Sequence, residues 1–113
     1  MEKEKINFED FDKIEFRLGV IKECFKHPNA DRLLVFKVDI GEEKTRQIIS
    51  SISEFYKPED VINKRVVVVA NLKKAIFRGM ESDGMLMCAS LPNDEDVELL
   101  TITKDFKAGS IIN

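Results

Sequence analysis

The chain of 113 residues has no tryptophan, one tyrosine, one histidine, two cysteines and three prolines. Each shortage closes off a class of function. Binders that thread an extended single strand rely on a series of aromatic platforms, and here Tyr56 is almost alone. Most of the eight phenylalanines fall in core phase along apolar alternations, leaving Phe77 as the other candidate. Cys24, His27 and Cys88 lack the paired spacing and fourth ligand of a zinc site, so we expect no metal. His27 precedes a proline in a turn, with no serine or cysteine partner in evident reach, and reads as a surface turn residue rather than a general base. The acidic run Asp94-Glu95-Asp96 lacks the alternating ligands and central glycine of a calcium loop. No glycine-rich phosphate loop occurs. We therefore expect no catalytic residue and no cofactor.

No apolar run approaches the ~18 residues that span a bilayer, and Met1-Glu2-Lys3-Glu4-Lys5 does not resemble a signal peptide. A soluble, cytoplasmic protein with two reduced, partly buried thiols is expected, and Met1 at the start favours a separate chain. The length suits one domain, residues 1–113, able to bury roughly two thirds of its unfolded surface. The formal charge of −3 is unevenly spread. Residues 1–16 carry six acids against three bases and residues 90–113 five against two, whereas 17–89 carry thirteen bases against ten acids. A basic centre between acidic ends is compatible with polyanion binding on one face, and equally with a mixed solvated surface.

Four consecutive valines, Val66 to Val69, stiffen the backbone into a strand that is apolar on both faces and so belongs inside a sheet. Lys73, Lys74 and Arg78 follow in what reads as a basic loop, closed by a polar turn at Glu81-Ser82-Asp83-Gly84. Upstream, Asn7 can cap a short helix, with Ile6 and Phe11 as a hydrophobic staple. Ile14, Phe16, Leu18 and Val20 alternate with polar residues until the phase slips at Val20-Ile21 beside Gly19, which indicates one long strand with a bulge. After the turn His27-Pro28-Asn29-Ala30-Asp31, residues 33–40 and 45–52 form a hairpin through Gly41. Pro58 can open a short helix that Asn63 closes in a left-handed conformation. Met85 to Ala89 reads as a fifth strand and 97–102 as another short one. Short strands with few helices point to an all-β, five-stranded OB-fold barrel with short helices, whose ligand face lies between the loops 27–32 and 71–84. The cations Arg32, Lys37, Arg46, Lys73, Lys74 and Arg78 are expected on that face, suited to phosphates, with Asn29, Asn71, Ser50 and Ser82 among them and Met85 as an apolar contact for a base.

Several segments together resemble the tRNA-binding domain family. They are Phe11-x-Lys13-Ile14-x-Phe16-Arg17-Leu18-Gly19, His27-Pro28-Asn29-Ala30-Asp31-Arg32-Leu33-Leu34-Val35, Val67-Val68-Val69-Ala70-Asn71-Leu72-Lys73, Arg78-Gly79-Met80-Glu81-Ser82 and Gly84-Met85-Leu86. The family comprises free-standing structure-specific tRNA-binding proteins, the carboxyl-terminal domain or separate beta subunit of methionyl-tRNA synthetases, and cytokine-like domains of synthetase accessory proteins. The resemblance implies a non-catalytic OB-fold that binds tRNA by shape at the outside corner of the L, free-standing or in trans with methionyl-tRNA synthetase. It implies RNA-binding positions at Asn29, Arg32, Arg46, Ser50, Asn71, Lys73, Arg78, Ser82 and Met85, to which the residue reading adds Lys74. It also implies a homodimer, with residues 90–113 as the dimerisation extension and Leu99, Leu100, Ile102, Ile111 and Ile112 available as interface. The chain departs from the family at Ser50-Ser51, where Ser-Gly is usual, and at Lys73-Lys74-Ala75-Ile76, where Lys-Pro-Ala-Lys is usual. The alternative is a protein-interaction or chaperone-like module on the same fold, with an apolar patch around Tyr56, Phe77 and Met80.

Overall fold

A computed structural model describes residues 2–113. The valine run forms β4 (Arg65–Val69), flanked on one side by β1 (Phe16–Lys26) and on the other by β7 (Met85–Leu86). It is thus internal, as two apolar faces require. Beyond β1 lie β2 (Leu34–Asp39) and β3 (Arg46–Ser50), giving the antiparallel order β3-β2-β1-β4-β7. This nearly closed five-stranded barrel is the OB-like architecture expected. Its core holds Leu18, Ile21, Leu34, Phe36, Val38, Ile48, Val66 and Val68, each at most 1 % exposed.

β1 is one continuous strand whose register against β2 shifts between Ile21 and Glu23, one residue after the sequence slip. The bulge lets its first half pair with β4 and its second half with β2 alone. Gly19 lies just before it because there is no room for anything larger. An added Cβ would stand 2.5 Å from Val38 Cγ1 and 2.9 Å from Val68 Cγ2. Between β3 and β4 the chain makes only a single 3-10 turn, Pro58–Asp60, followed by the fully buried Val61 and by Asn63 at φ 69°.

Four local expectations need correction. The helix α1 (Phe8–Phe11) is flanked by Asn7, but the Asn7 side chain makes no capping bond; its carbonyl accepts the N–H groups of Asp10 and Phe11 instead. Phe11 stacks on Phe8 and Phe16, at ring-centroid distances of 6.4 and 5.9 Å, while Ile6 stays exposed. The basic loop is itself a hairpin, β5 (Ala75–Phe77) with β6 (Met80–Ser82), turning on Arg78 at φ 51° and Gly79 at φ 89°. Two successive positive φ values match the twist of a two-residue hairpin turn, and Gly79 supplies the second without strain. The strand expected at 85–89 is broken at Met87: β7 pairs with β4, whereas β8 (Cys88–Ser90) pairs with β9 (Val97–Leu99) in a separate hairpin.

The carboxyl-terminal stretch returns to the barrel. β10 (Ile111–Ile112) pairs with the start of β1, and Arg65 bonds the Phe106 carbonyl at 2.8 Å. Leu99, offered above as an interface residue, is 3 % exposed and belongs to the core, where its N–H donates to the Tyr56 hydroxyl. That bond also withdraws Tyr56 from the supposed surface patch. Leu100 and Ile111 are exposed.

Candidate nucleic-acid interface

The barrel leaves one seam to close, between β3 and the chain leaving the β5–β6 hairpin. A single backbone bond, Asp83 N–H to the Gln47 carbonyl at 2.7 Å, spans it. The next rung is made by a side chain. Ser82 is 3 % exposed, and its hydroxyl accepts the Ile49 N–H at 2.9 Å and donates to the Gly84 carbonyl at 3.2 Å. The Gln47 amide adds a third bond by donating to the Glu81 carbonyl. Ser82 therefore stands in for a missing backbone carbonyl.

Asn71 has a comparable position at the end of β4. Its side-chain oxygen accepts the Glu15 N–H at 2.8 Å and its amide donates to the Lys13 carbonyl at 2.6 Å, stitching residues 13–15 to the end of β4. Arg46 is a third such residue. Its guanidinium forks onto both carboxylate oxygens of Glu42 at 2.9 Å, donates to the Ala70 carbonyl and lies 3.8 Å from Asp83. The hydrogen bonds from Arg46 hold the Glu42 carboxyl below its ordinary range and raise the guanidinium in return. Arg46 thus ties the β2–β3 turn to the ends of β4 and β6, with much of its hydrogen-bonding capacity already used.

The remaining cations separate by how freely they meet solvent. Arg32 lies 3.6 Å from Glu54 and Lys74 3.7 Å from Glu81, both pairs well exposed and worth little. Lys37 donates to Gln47 at 2.6 Å. Lys73 and Arg78 are exposed and form no ion pair with the described residues, so their charge is available to a partner. A groove of about 630 Å³ collects Arg46, Lys74 and Lys44 but sets Glu42, Glu43, Glu81 and Asp83 against them. With more carboxylates than cations and three internal ion pairs, it presents a poor field for a phosphate.

What joins the two expected loops is His27, and here the sequence reading needs its largest correction. Far from being a surface turn residue, His27 is 4 % exposed. Its Nδ1 accepts the Asn29 N–H at 3.0 Å, which places the ring proton on Nε2, where it donates to the Phe77 carbonyl at 2.9 Å. The loop is further fixed by Ser53, whose hydroxyl donates to the Asp31 carbonyl and whose N–H donates to that of Arg32. One imidazole therefore holds the loop carrying Asn29 and Arg32 against the tip of the hairpin carrying Arg78. Burial of a lone histidine depends here on a carbonyl fifty positions away, and the only local sign was the tight His-Pro-Asn turn.

Beside that junction a second cleft of about 370 Å³ opens, lined among others by Leu33, Ser50, Phe77, Met85, Ser90 and Asp94. Phe77 and Met85 are 41 % and 45 % exposed, high for side chains that burial would favour. The structure thus brings Ser50 and Met85 together in the cleft, gathers Asn29, Arg32 and Arg78 around the His27 junction, and uses Arg46, Asn71 and Ser82 as internal ties. Cys88 also lines the cleft; it and Cys24 are free and half-buried, burial raising both thiols and pushing Cys24 up to about 11.

Comparisons with known proteins point the same way. A sequence model of the family described as "Putative tRNA binding domain" matches residues 16–111. A methionine–tRNA ligase of Pyrococcus horikoshii is 45 % identical over 109 residues, which are 96 % of this chain and 15 % of that protein. The chain therefore spans about a seventh of that relative's length. Among solved structures, a "MetRS related protein" of Pyrococcus horikoshii superposes with a TM-score of 0.89 at 28 % identity, covering 97 % of this chain and 99 % of the other. The chaperone CsaA of Bacillus anthracis superposes with a TM-score of 0.86 at 27 % identity, covering 97 % of this chain and all of that one.

Proposed function

The chain belongs to the tRNA-binding domain family, and from that premise we propose that it is a non-catalytic module that holds tRNA by shape, free-standing or in trans with methionyl-tRNA synthetase, in the cytoplasm. The observation that carries this reading is the family match over residues 16–111. The geometry supports it with the His27 junction, which joins the loop carrying Asn29 and Arg32 to the hairpin tip carrying Arg78, with Lys73, nearby in sequence, in no ion pair among the described residues. We assign phosphate contacts to Arg32, Lys73, Lys74 and Arg78, ribose or base-edge contacts to Asn29 and Ser50, and an apolar contact to Met85. Arg46, Asn71 and Ser82 support that surface by holding its loops, and contribute to RNA binding mainly in that way. Five of the eight phenylalanines, Phe8, Phe11, Phe25, Phe77 and Phe106, are exposed rather than in the core as their phase suggested, so aromatic content does not separate a folded RNA from an extended strand.

The whole chain acts as one domain in this proposal, with residues 90–113 as a dimerisation extension offering the exposed Leu91, Leu100 and Ile111 to a second copy. Sedimentation at micromolar protein should then give twice the monomer mass; a monomer at that concentration would remove the extension from this role. The functional test is fluorescence anisotropy of labelled total tRNA at two salt concentrations, with double-stranded DNA of equal charge as competitor. Binding that weakens with salt yet resists the DNA supports shape-selective recognition. Absence of binding at low salt would refute it and favour the second reading, a chaperone-like module, which rests on the likeness to CsaA and on the exposed apolar residues of the cleft.

A further inference from the structure

The cleft between Phe77 and Met85 has an unusual charge for a surface that borders cations. Its only charged lining residue is Asp94, an exposed carboxylate with no hydrogen-bond or ion-pair partner among the described residues, while Ser50, Ser51 and Ser90 add three hydroxyls. The sign of that charge disfavours a phosphate. A purely aliphatic occupant would strip water from the carboxylate and hydroxyls without replacing their hydrogen bonds, at a cost in free energy. A flat heteroaromatic ring satisfies both parts of the lining: its faces meet the exposed Phe77 ring and the Met85 thioether, and its edge supplies N–H donors to acceptors. The volume, about 370 Å³, lies near the small end of the ~300–1,000 Å³ range of ligand sites, which suits one nucleoside rather than a run of them.

Position agrees with chemistry. Phe77 precedes the turn residue Arg78, and its own carbonyl is the acceptor of the His27 bond. The cleft wall and the cationic tip are therefore one rigid piece, so a backbone phosphate at Arg78 would place its attached base within reach of the cleft. Resting on the tRNA-binding reading, we propose that this cleft takes a single unpaired nucleobase of the bound RNA, stacked on Phe77 and Met85 with its donor edge on Asp94. Guanine suits it best, because N1–H and the N2 amino group can both bond one carboxylate.

The test is a salt titration of total-tRNA binding by the whole chain, by anisotropy, comparing wild type with Met85→Ala, Asp94→Asn and the double variant. Both side chains are exposed, and Asp94 has φ 53°, a backbone state that asparagine tolerates well. Matching melting curves will confirm that the variants fold. The double variant should lose about tenfold in affinity with the slope of log K against log salt unchanged, because a base contact is lost and no phosphate contact. A fluorescein-labelled RNA hairpin with guanosine in its loop should likewise outbind one of equal length with abasic loop positions, and only with wild type. Wild-type affinity for tRNA in the double variant overturns the cleft assignment while leaving the tRNA reading in place. Absence of tRNA binding by wild type removes both. Binding of an apolar peptide that Met85→Ala abolishes, with tRNA affinity intact, gives the cleft to a protein partner and overturns the nucleobase.

Discussion

Replacing His27 by alanine removes a buried ring that satisfies two backbone groups, the Asn29 N–H and the Phe77 carbonyl. Leaving a buried polar group unpaired costs about 1–3 kcal/mol, and the hollow left by the ring adds to this. Some relief comes from water entering the space, so about 2–4 kcal/mol is expected for the substitution. For a chain of this length that lowers Tm by about 10 °C or more. Circular dichroism melts give the stability, and amide exchange reports the loop, where the Asn29 N–H should lose its protection. Two companion variants separate the causes. His27→Phe restores the volume but neither bond, and should be nearly as unstable as His27→Ala. His27→Gln can remake one bond and should recover part of the loss. Binding to tRNA should fall in His27→Ala even well below its Tm, because the Asn29–Arg32 loop no longer sits against the hairpin. A His27→Phe protein as stable as wild type would refute the reasoning, since packing rather than hydrogen bonding would then hold the loops together.

Other outcomes follow from the same structure. Ser82→Ala removes the hydroxyl bound to the Ile49 N–H and the Gly84 carbonyl, and should lower stability by about 1–3 kcal/mol in denaturant melts and free the Ile49 amide to exchange. Lys73→Glu with Arg78→Glu should weaken tRNA binding across all species and reduce the salt slope by about 2, with Tm little changed; unchanged affinity would remove both from the interface. Burial raises the thiols of Cys24 and Cys88, so at pH 8 both should react slowly with iodoacetamide in the folded protein and quickly once it is unfolded. The sign for stability runs the same way. The unfolded chain loses thiol protons near pH 9 and folded Cys24 only near about 11, so stability should fall as pH climbs between those values.

The barrel was readable because its strands carry their burial in local pattern: Val66 to Val69 could only be internal, and the phase slip after Val20 marked the bulge of β1 to within a residue. The β5–β6 hairpin was hidden by its charges. Lys73, Lys74 and Arg78 drew the reading toward a loop, although Arg78-Gly79 between Phe77 and Met80 is a two-residue turn by composition. The break at Met87 has no local signal, since it arises from β8 leaving β4 for β9, a partner chosen by long-range packing. For the candidate site the residue types and loops were legible but their division of labour was not. Nothing near Asn71, Ser82 or Arg46 in the sequence reveals that their polar groups are taken up by Lys13, Glu15, Ile49 and Ala70. His27 was missed for the same reason, its acceptor lying fifty positions away on β5.

The seam beside β3 has a bearing on how this protein behaves in company. A sheet edge with free N–H and C=O groups invites another chain to add a strand, and so to aggregate or exchange segments. Here the backbone groups at the edge of β3 are taken by the Asp83 N–H and the Ser82 hydroxyl, with the Gln47 amide of β3 reaching across to the Glu81 carbonyl, rather than by a full neighbouring strand. Protection against self-association along that edge thus depends on one side chain beside a single main-chain bond, and mutation at Ser82 would expose the Ile49 N–H as a template for stacking between molecules as well as loosening the barrel.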